Sequence, residues 1–370
     1  MNKFWLTCFL SISLLSATAL SSCQSQPTTS TPGETTAETT TTASPTEKRA
    51  IKVNPSWLLQ GDNAPITLAR EKGYFDEQGL DVTIERGFGS ADTLAKVAAG
   101  QFEIGFGDMY SMIEFNAKNP NDPLVAVAAP YNKSPFSIVA LKKSGITDPE
   151  GLAGKKLGAP AGDAPRKLWP VLAQEVGVDA NSVEWITMEP KLRETFLLKG
   201  DVDAVSGFAT SIIPSLVKGG AKLEDMEVFL YTDNGLDLYG NAIIVKRSFL
   251  EENPEVVKGF LNAYFKGLQD TLKDPNAGLA SVMAAGDSLM DENAEKLRLQ
   301  IALEDLYITP EVEKNGLGSV DTARLEKTIE QVSKGLGVAV PKLEDVFDDS
   351  YLPPASEREL PPAGERQSLS

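Results

Sequence analysis

From Leu80 to Glu85 apolar residues alternate with polar ones, Leu80, Val82 and Ile84 against Asp81, Thr83 and Glu85, the period of two expected of a strand with one buried face. On either side the spacing becomes helical. Asn63 and Pro65 open a helix over Ile66, Leu68 and Ala69 that Gly73 ends, and Ser90 caps another with the stripe Leu94, Val97 and Ala98, closing at Gly100. A more apolar strand over 102–106 stops at Gly107 and Asp108. The rhythm continues with strands at 124–129 and 136–141, a strand and glycine loop at 154–160, a helix opened by Asp163 and Pro165 and ended by Gly177, and a strand at 183–187. A helix over 191–199 then yields at Gly200 to a strand over 202–205. Strands are predicted at 227–231 and, crossing back, at 235–245. Beyond them the chain turns helical, with the stripe Val257, Phe260, Leu261, Tyr264, Phe265 and Leu268, then helices near 275–285, 292–306 and 321–336. Past Leu352, proline and charge predict a loose tail over 351–370.

Strands alternating with helices make an α/β protein. In open α/β sheets ligands sit beyond the carboxyl ends of the strands, where glycine loops admit backbone and helix N-termini present free N–H groups. Ser90 and Asp108 fall at such ends. Residues 98–107 (AAGQFEIGFG) and 198–207 (LKGDVDAVSG) share one template of helix end, glycine, acid, short apolar strand and glycine. Such corners are common in any α/β fold, but the simplest account is one unit in each of two lobes.

The stretch before Asp108 is more specific. It reads AREKGYFDEQGLDV from Ala69 to Val82, GSAD from Gly89 to Asp92, and AAGQFEIGFGD from Ala98 to Asp108. In this order the phrases resemble the periplasmic solute-binding proteins of ABC importers for sulfonates, taurine, nitrate and thiamine-pyrimidine precursors. The resemblance spans residues 52–347. It implies a type II periplasmic-binding-protein fold of two α/β lobes, 51–133 with 240–350 and 134–239, joined by a hinge of two crossovers near 131–136 and 235–241. The solute would bind in the cleft, and the partners would be an ABC permease and its ATPase subunits.

The N-terminus agrees with that implication. Lys3 precedes an apolar, small-residue run from Phe4 to Leu20, and Leu20-Ser21-Ser22-Cys23 matches a bacterial lipobox. The run is too short and too rich in Ser and Thr for a membrane span, so residues 1–22 are expected to be a cleaved lipoprotein signal. Diacylated Cys23 would anchor a monomer in the periplasm or on the outer face of the cytoplasmic membrane. The competing reading is an accidental cysteine in a signal cleaved elsewhere. Residues 23–50, mostly Thr, Ser, Pro and Gln, are expected to be a disordered tether. Cys8 and Cys23 are the only cysteines, which leaves the folded part without disulfides or thiol chemistry. A net charge of −17 argues against nucleic acid or an anionic membrane surface as partner.

The chain contains no histidine, which excludes a Ser-His-Asp triad, a histidine-bound zinc and a histidine base. No motif selects a carboxylate pair for glycosidase chemistry. A pyrimidine synthase on the same fold is similar but depends on a histidine and a cysteine-rich motif. Both are missing, so binding without turnover, and no cofactor, is expected. A sensor lipoprotein passing its closed shape to a receptor stays open as an alternative, and a synthase-like enzyme as a lesser one.

The candidate ligand contacts are Trp57, Ser90, Asp108, Tyr131, Gly162, Asp163, Arg166, Phe208, Tyr239 and Asn241. Trp57 ends the first strand, where the resemblance implies an aromatic over the ligand; core packing is the rival. Ser90 could bind an oxygen or simply cap its helix. A buried Asp108 needs a ligand N–H or an ion pair between lobes. Gly162 to Arg166 gathers helix N–H groups, an acid and a guanidinium in one turn, or else Asp163 caps and Arg166 pairs with it on the surface. Tyr131, Trp169, Phe208 and Tyr239 lie near strand ends, where two or three could stack on a solute. These acids and aromatics favour a pyrimidine-like nitrogen heterocycle over a sulfonate, taurine or nitrate anion.

Overall fold

Among the described residues ten strands carry the architecture: β1 (Arg49–Asn54), β2 (Leu80–Ile84), β3 (Ile104–Asp108), β4 (Leu124–Ala128), β5 (Phe136–Leu141), β6 (Lys156–Ala159), β7 (Glu184–Thr187), β8 (Ala204–Phe208), β9 (Met226–Leu230) and β10 (Asn241–Lys246). The computed structural model that shows them describes residues 47–369; the expected signal, Cys23 and nearly all of the expected tether lie outside the described residues. The strands form two five-stranded sheets, ordered β2-β1-β3-β10-β4 and β7-β6-β8-β5-β9.

The two sheets repeat one plan. In the first, β1 pairs parallel with β2 and β3; in the second, β6 pairs parallel with β7 and β8. The fourth strand of each, β10 or β5, is antiparallel to both neighbours. Each of these is the strand by which the chain arrives from the other sheet, along 129–135 into β5 and along 231–240 into β10. Parallel neighbours need long crossovers, whereas an incoming strand can be accepted antiparallel after a short connection. The sequence echo takes its place in this plan: β3 and β8 are third in their sheets, and each runs directly into a helix, Met109–Lys118 or Ala209–Lys218. Two lobes of type II periplasmic-binding-protein architecture result.

Apolar packing follows the predicted stripes. Phe260, Leu261, Tyr264, Phe265 and Leu268 of the Pro254–Lys273 helix cover the first sheet, and Val139, Val205, Ile212 and Leu216 form a smaller core on the second. A third core runs through both lobes, joining Met109, Tyr110 and Met112 to Leu168, Trp169 and Leu172 through Leu325, Ile329 and Val332. The Thr322–Leu336 helix, expected in the first lobe alone, therefore packs on helices of both. From it Arg324 donates to the carbonyl of Asn132 (3.0 Å) in one crossover and to those of Asp237 (3.2 Å) and Leu238 (3.1 Å) in the other.

Four other expectations need correction. β1 begins at Arg49, inside the expected tether, because Arg49 N donates to Gly79 O and Arg49 and Ala50 pair with Leu80 and Asp81; a backbone ladder can extend where no apolar signal marks it. Residues 235–240 are not strand. The helix expected over 292–306 is α only to Ile301, then a π-helical turn over Ala302–Tyr307. The tail is not loose: Arg358 is buried, donating to the carbonyls of Pro353 and Leu317 and to Ser319 Oγ. The tail is built from a repeat, LPPASER over 352–358 and LPPAGER over 360–366, and in each the arginine Nε donates to the first proline's carbonyl at 2.8 Å.

Candidate functional site

The chain leaves β1 through a turn in which Ser56 adopts left-handed backbone, φ 66°, a strained conformation for a residue with a side chain. The turn is held by Ser56 N on Asn54 Oδ1 (3.0 Å) and by Gly89 N on Ser56 O (2.7 Å). It presents Ser56 and Trp57, with Gln60 and Asp62 just beyond, to a cavity closed by both lobes. The first lobe also supplies Ser90, Phe106, Tyr131 and Asn241, and the second Asp163, Arg193, Phe208 and Ser211. The centre of a water molecule has about 40 Å³ free within it, more than a single water needs but narrow. A wider groove, about 690 Å³ by the same measure, adjoins it and shares Trp57, Gln60, Arg193 and Ser211.

Aromatic rings make much of the wall: Tyr131 packs edge-on to Tyr307 (5.1 Å), Phe208 lies against Phe136 (5.2 Å), and the Arg193 guanidinium sits 5.1 Å from the Trp57 ring. Arg193 is neutralised by Glu194 at 2.7 Å. Two further acids, one from each lobe, form no ion pair among the described residues. The Asp62 carboxyl is pushed up to about 6 by burial, against the opposing pull of Arg298, and accepts from Tyr131 Oη at 3.2 Å. That of Asp163 is also raised by burial, against the opposing pull of Arg193. Asn241 is 5% exposed; its Nδ2 donates to Ser56 Oγ (3.0 Å), while its Oδ1 is buried with no partner among the described residues. The cavity is therefore acceptor-rich and acidic.

Of the residues chosen from sequence, Trp57, Ser90, Tyr131, Asp163, Phe208 and Asn241 line this cavity; Asp108, Gly162, Arg166 and Tyr239 do not. Ser90 is not its helix's cap: Gly89 holds that place, and Ser90 Oγ accepts from Asp108 N at 3.1 Å. Asp108 is itself a helix cap, accepting from Tyr110 N (3.1 Å) and Ser111 N (2.7 Å), with its carboxyl raised to about 6 by burial. Asp163 does both things. It caps its helix through Arg166 N (3.0 Å), accepts from Ser206 Oγ (2.7 Å) and reaches the cavity wall.

Arg166 turns away to Ala159 O (3.1 Å), Thr187 Oγ1 (3.0 Å) and the Trp185 ring, so it braces the second sheet and is not the surface partner of Asp163. Tyr239 is fully buried beside the hinge, donating to Glu311 Oε1 at 2.7 Å beneath the Arg324 guanidinium. Trp169 is core, its indole N–H on Ala180 O. Gly162 meets the opposite lobe, accepting from Ala91 N at 3.3 Å. Gln60, Asp62, Phe106, Arg193 and Ser211 were not legible as site residues. A polar Gln-Gly-Asp-Asn turn soon after β1 was the available signal for the first two, but a buried arginine inside a helical pattern leaves none.

A model of the NMT1/THI5-like family matches residues 60–278 of the 370. The chain belongs to that family. Among relatives by sequence, a formylaminopyrimidine-binding protein of Halalkalibacterium halodurans is 25% identical over 72% of this chain and 81% of its own length. A 4-amino-5-hydroxymethyl-2-methylpyrimidine phosphate synthase of Saccharomyces cerevisiae is 28% identical over 62% and 68%. A riboflavin-binding protein of Chloroflexus aurantiacus is 24% identical over 86% and 93%. In fold, the chain is similar to an alkanesulfonate-binding protein of Xanthomonas axonopodis (TM-score 0.62, 14% identity, 82% of this chain and 99% of that one). It is likewise similar to a nitrate-binding protein of Synechocystis (TM-score 0.56, 13% identity, 82% and 87%).

Proposed function

We propose that this NMT1/THI5-like chain is the extracytoplasmic solute-binding lipoprotein of an ABC importer, and that it takes a flat nitrogen heterocycle of pyrimidine type, bearing N–H donors, between its lobes. The observation that carries the reading is the set of acceptors on the cavity wall: Asp62 and Asp163 from opposite lobes and Asn241 Oδ1, which has no partner among the described residues. A buried acceptor left unmade is costly, so the solute must bring donors. Trp57, Phe106, Tyr131 and Phe208 suit the faces of a ring. Acidic walls disfavour sulfonate or nitrate. The relatives named for formylaminopyrimidine, a methylpyrimidine phosphate and riboflavin all handle nitrogen heterocycles.

Native mass spectrometry of protein freshly purified from its host tests for a retained solute, and calorimetry compares formylaminopyrimidine and 4-amino-5-hydroxymethyl-2-methylpyrimidine with taurine and nitrate. Heterocycle binding with no response to the anions is expected; the reverse order sinks the reading. The synthase relatives favour a second reading, turnover of the bound ring. The absence of histidine weighs against it, and incubation of the retained solute followed by mass spectrometry decides it. The lipid anchor rests on the lipobox at Cys23: Cys23→Ser is expected to release the protein from membranes into the soluble fraction.

A further inference from the structure

We infer that Arg298 is a positioning residue that holds the lobes closed over the solute by binding a carbonyl which Pro214 leaves without its helical donor. The inference rests on the reading that solute binds between the lobes. Arg298 lies on the Glu292–Ile301 helix, which packs against the turn carrying Asp62 in the first lobe. Only 3% exposed, it crosses the cleft to the Ala209–Lys218 helix that follows β8. Its guanidinium donates to Thr210 O (3.1 Å), Ser211 O (2.6 Å) and Ser215 Oγ (2.7 Å).

In an α-helix the carbonyl of residue 210 accepts from the N–H of residue 214, and here residue 214 is proline, which has none. The arginine of the opposite lobe supplies the missing donor. On its own side Arg298 Nε is 3.1 Å from Glu295 Oε2, and that oxygen accepts from Gly61 N at 2.7 Å, next to Asp62. Ser211 Oγ adds a second bond across the cleft, to Gln60 Oε1 at 2.9 Å. The wall of the cavity in one lobe is thereby tied to the helix whose first residues form its wall in the other. A guanidinium fork can meet two carbonyls and a hydroxyl at once, which a lysine ammonium cannot do in the same geometry. Interactions made only in the closed state raise solute affinity without touching the solute.

The full chain is compared with Pro214→Ala, which returns the helical N–H, and with the double variant Arg298→Met/Glu295→Gln, which removes both charges together. Small-angle scattering reads lobe separation without any solute, and calorimetry with 4-amino-5-hydroxymethyl-2-methylpyrimidine reads affinity. The double variant is expected to have a larger radius of gyration and an affinity lower by about fivefold or more, the usual scale of coupling between sites. Pro214→Ala should shift both in the same direction while its melting temperature stays level or rises, since a proline has been removed from a helix. A merely structural role would lower the melting temperature instead. Unchanged scattering in both variants overturns the inference. Failure of the wild type to bind the probe would count against the heterocycle reading alone, because scattering still decides the latch, and Pro214→Ala decides it should the double variant not fold.

Discussion

Asp62 and Asp163 give the cavity its chemistry, and both have carboxyl groups raised by burial. On the proposed reading a solute N–H would stabilise the ionised form of Asp62, whose carboxyl is raised to about 6, so binding below that pH would expel a proton. Heterocycle affinity is expected to fall as pH drops through 6, and Asp62→Asn to flatten the profile. Calorimetry across pH 5–8 checks this; affinity that grows on acidification would mean Asp62 binds as the neutral acid. Asp108 carries the opposite lesson, a buried acid that caps a helix and does not line the cavity. Its carboxyl, raised by burial from 3.8 to about 6, keeps its proton in the folded chain where the unfolded chain has lost it. The stability it contributes is therefore present below 3.8 and lost as pH rises through about 6. Asp108→Asn should remove that slope from melting curves. Asp108→Ala should cost about 1 kcal/mol as a lost helix cap and leave solute affinity unchanged.

Among elements, the meeting of two loops limits how closely the lobes approach. Gly89 has φ 112°, and a Cβ on it would collide with Gly162 O; one on Gly162 would press on Phe88 O. Closure at this point is backbone against backbone. Gly89→Ala is expected to hold the cleft ajar, with an affinity loss of roughly tenfold or more, corresponding to about 1.4 kcal/mol. Scattering with saturating solute should show an incompletely closed form, whereas a normal closed form would show that the contact is dispensable. The sequence marked Gly89 as the start of the GSAD phrase and Gly162 as a candidate contact. It could not pair them, because nothing in either segment encodes which residue stands opposite. Asp108 and Asp163 illustrate the same limit: each follows or ends a strand and caps the next helix, Asp108 as the last residue of β3 and Asp163 in the loop after β6, and only the second lines the cavity.

At the scale of the whole molecule, the C-terminal strap and the Thr322–Leu336 helix tie together parts that are remote along the chain. The strap crosses the first lobe, with Leu317 N on Arg358 O, Gln269 Nε2 on Glu359 O and Gln367 N on Lys273 O. Ending the chain at Leu352 would leave the carbonyls of Leu317 and Asn315 without the Arg358 guanidinium. That truncation is expected to lower the melting temperature by some 2–4 °C for each kcal/mol lost, with solute affinity retained. An affinity loss with no change in melting temperature would assign the strap to the cleft instead.

Period-two and helical spacing, caps and glycine corners were enough to place most strands and helices and to pick out the repeated corner that β3 and β8 share, since these signals act between near neighbours. Which acid faces the cavity, which arginine crosses it and whether a proline-rich end stays packed all turn on partners tens to hundreds of positions away. Desolvation and hydrogen-bond geometry choose among such partners, and those exist only once the lobes have come together.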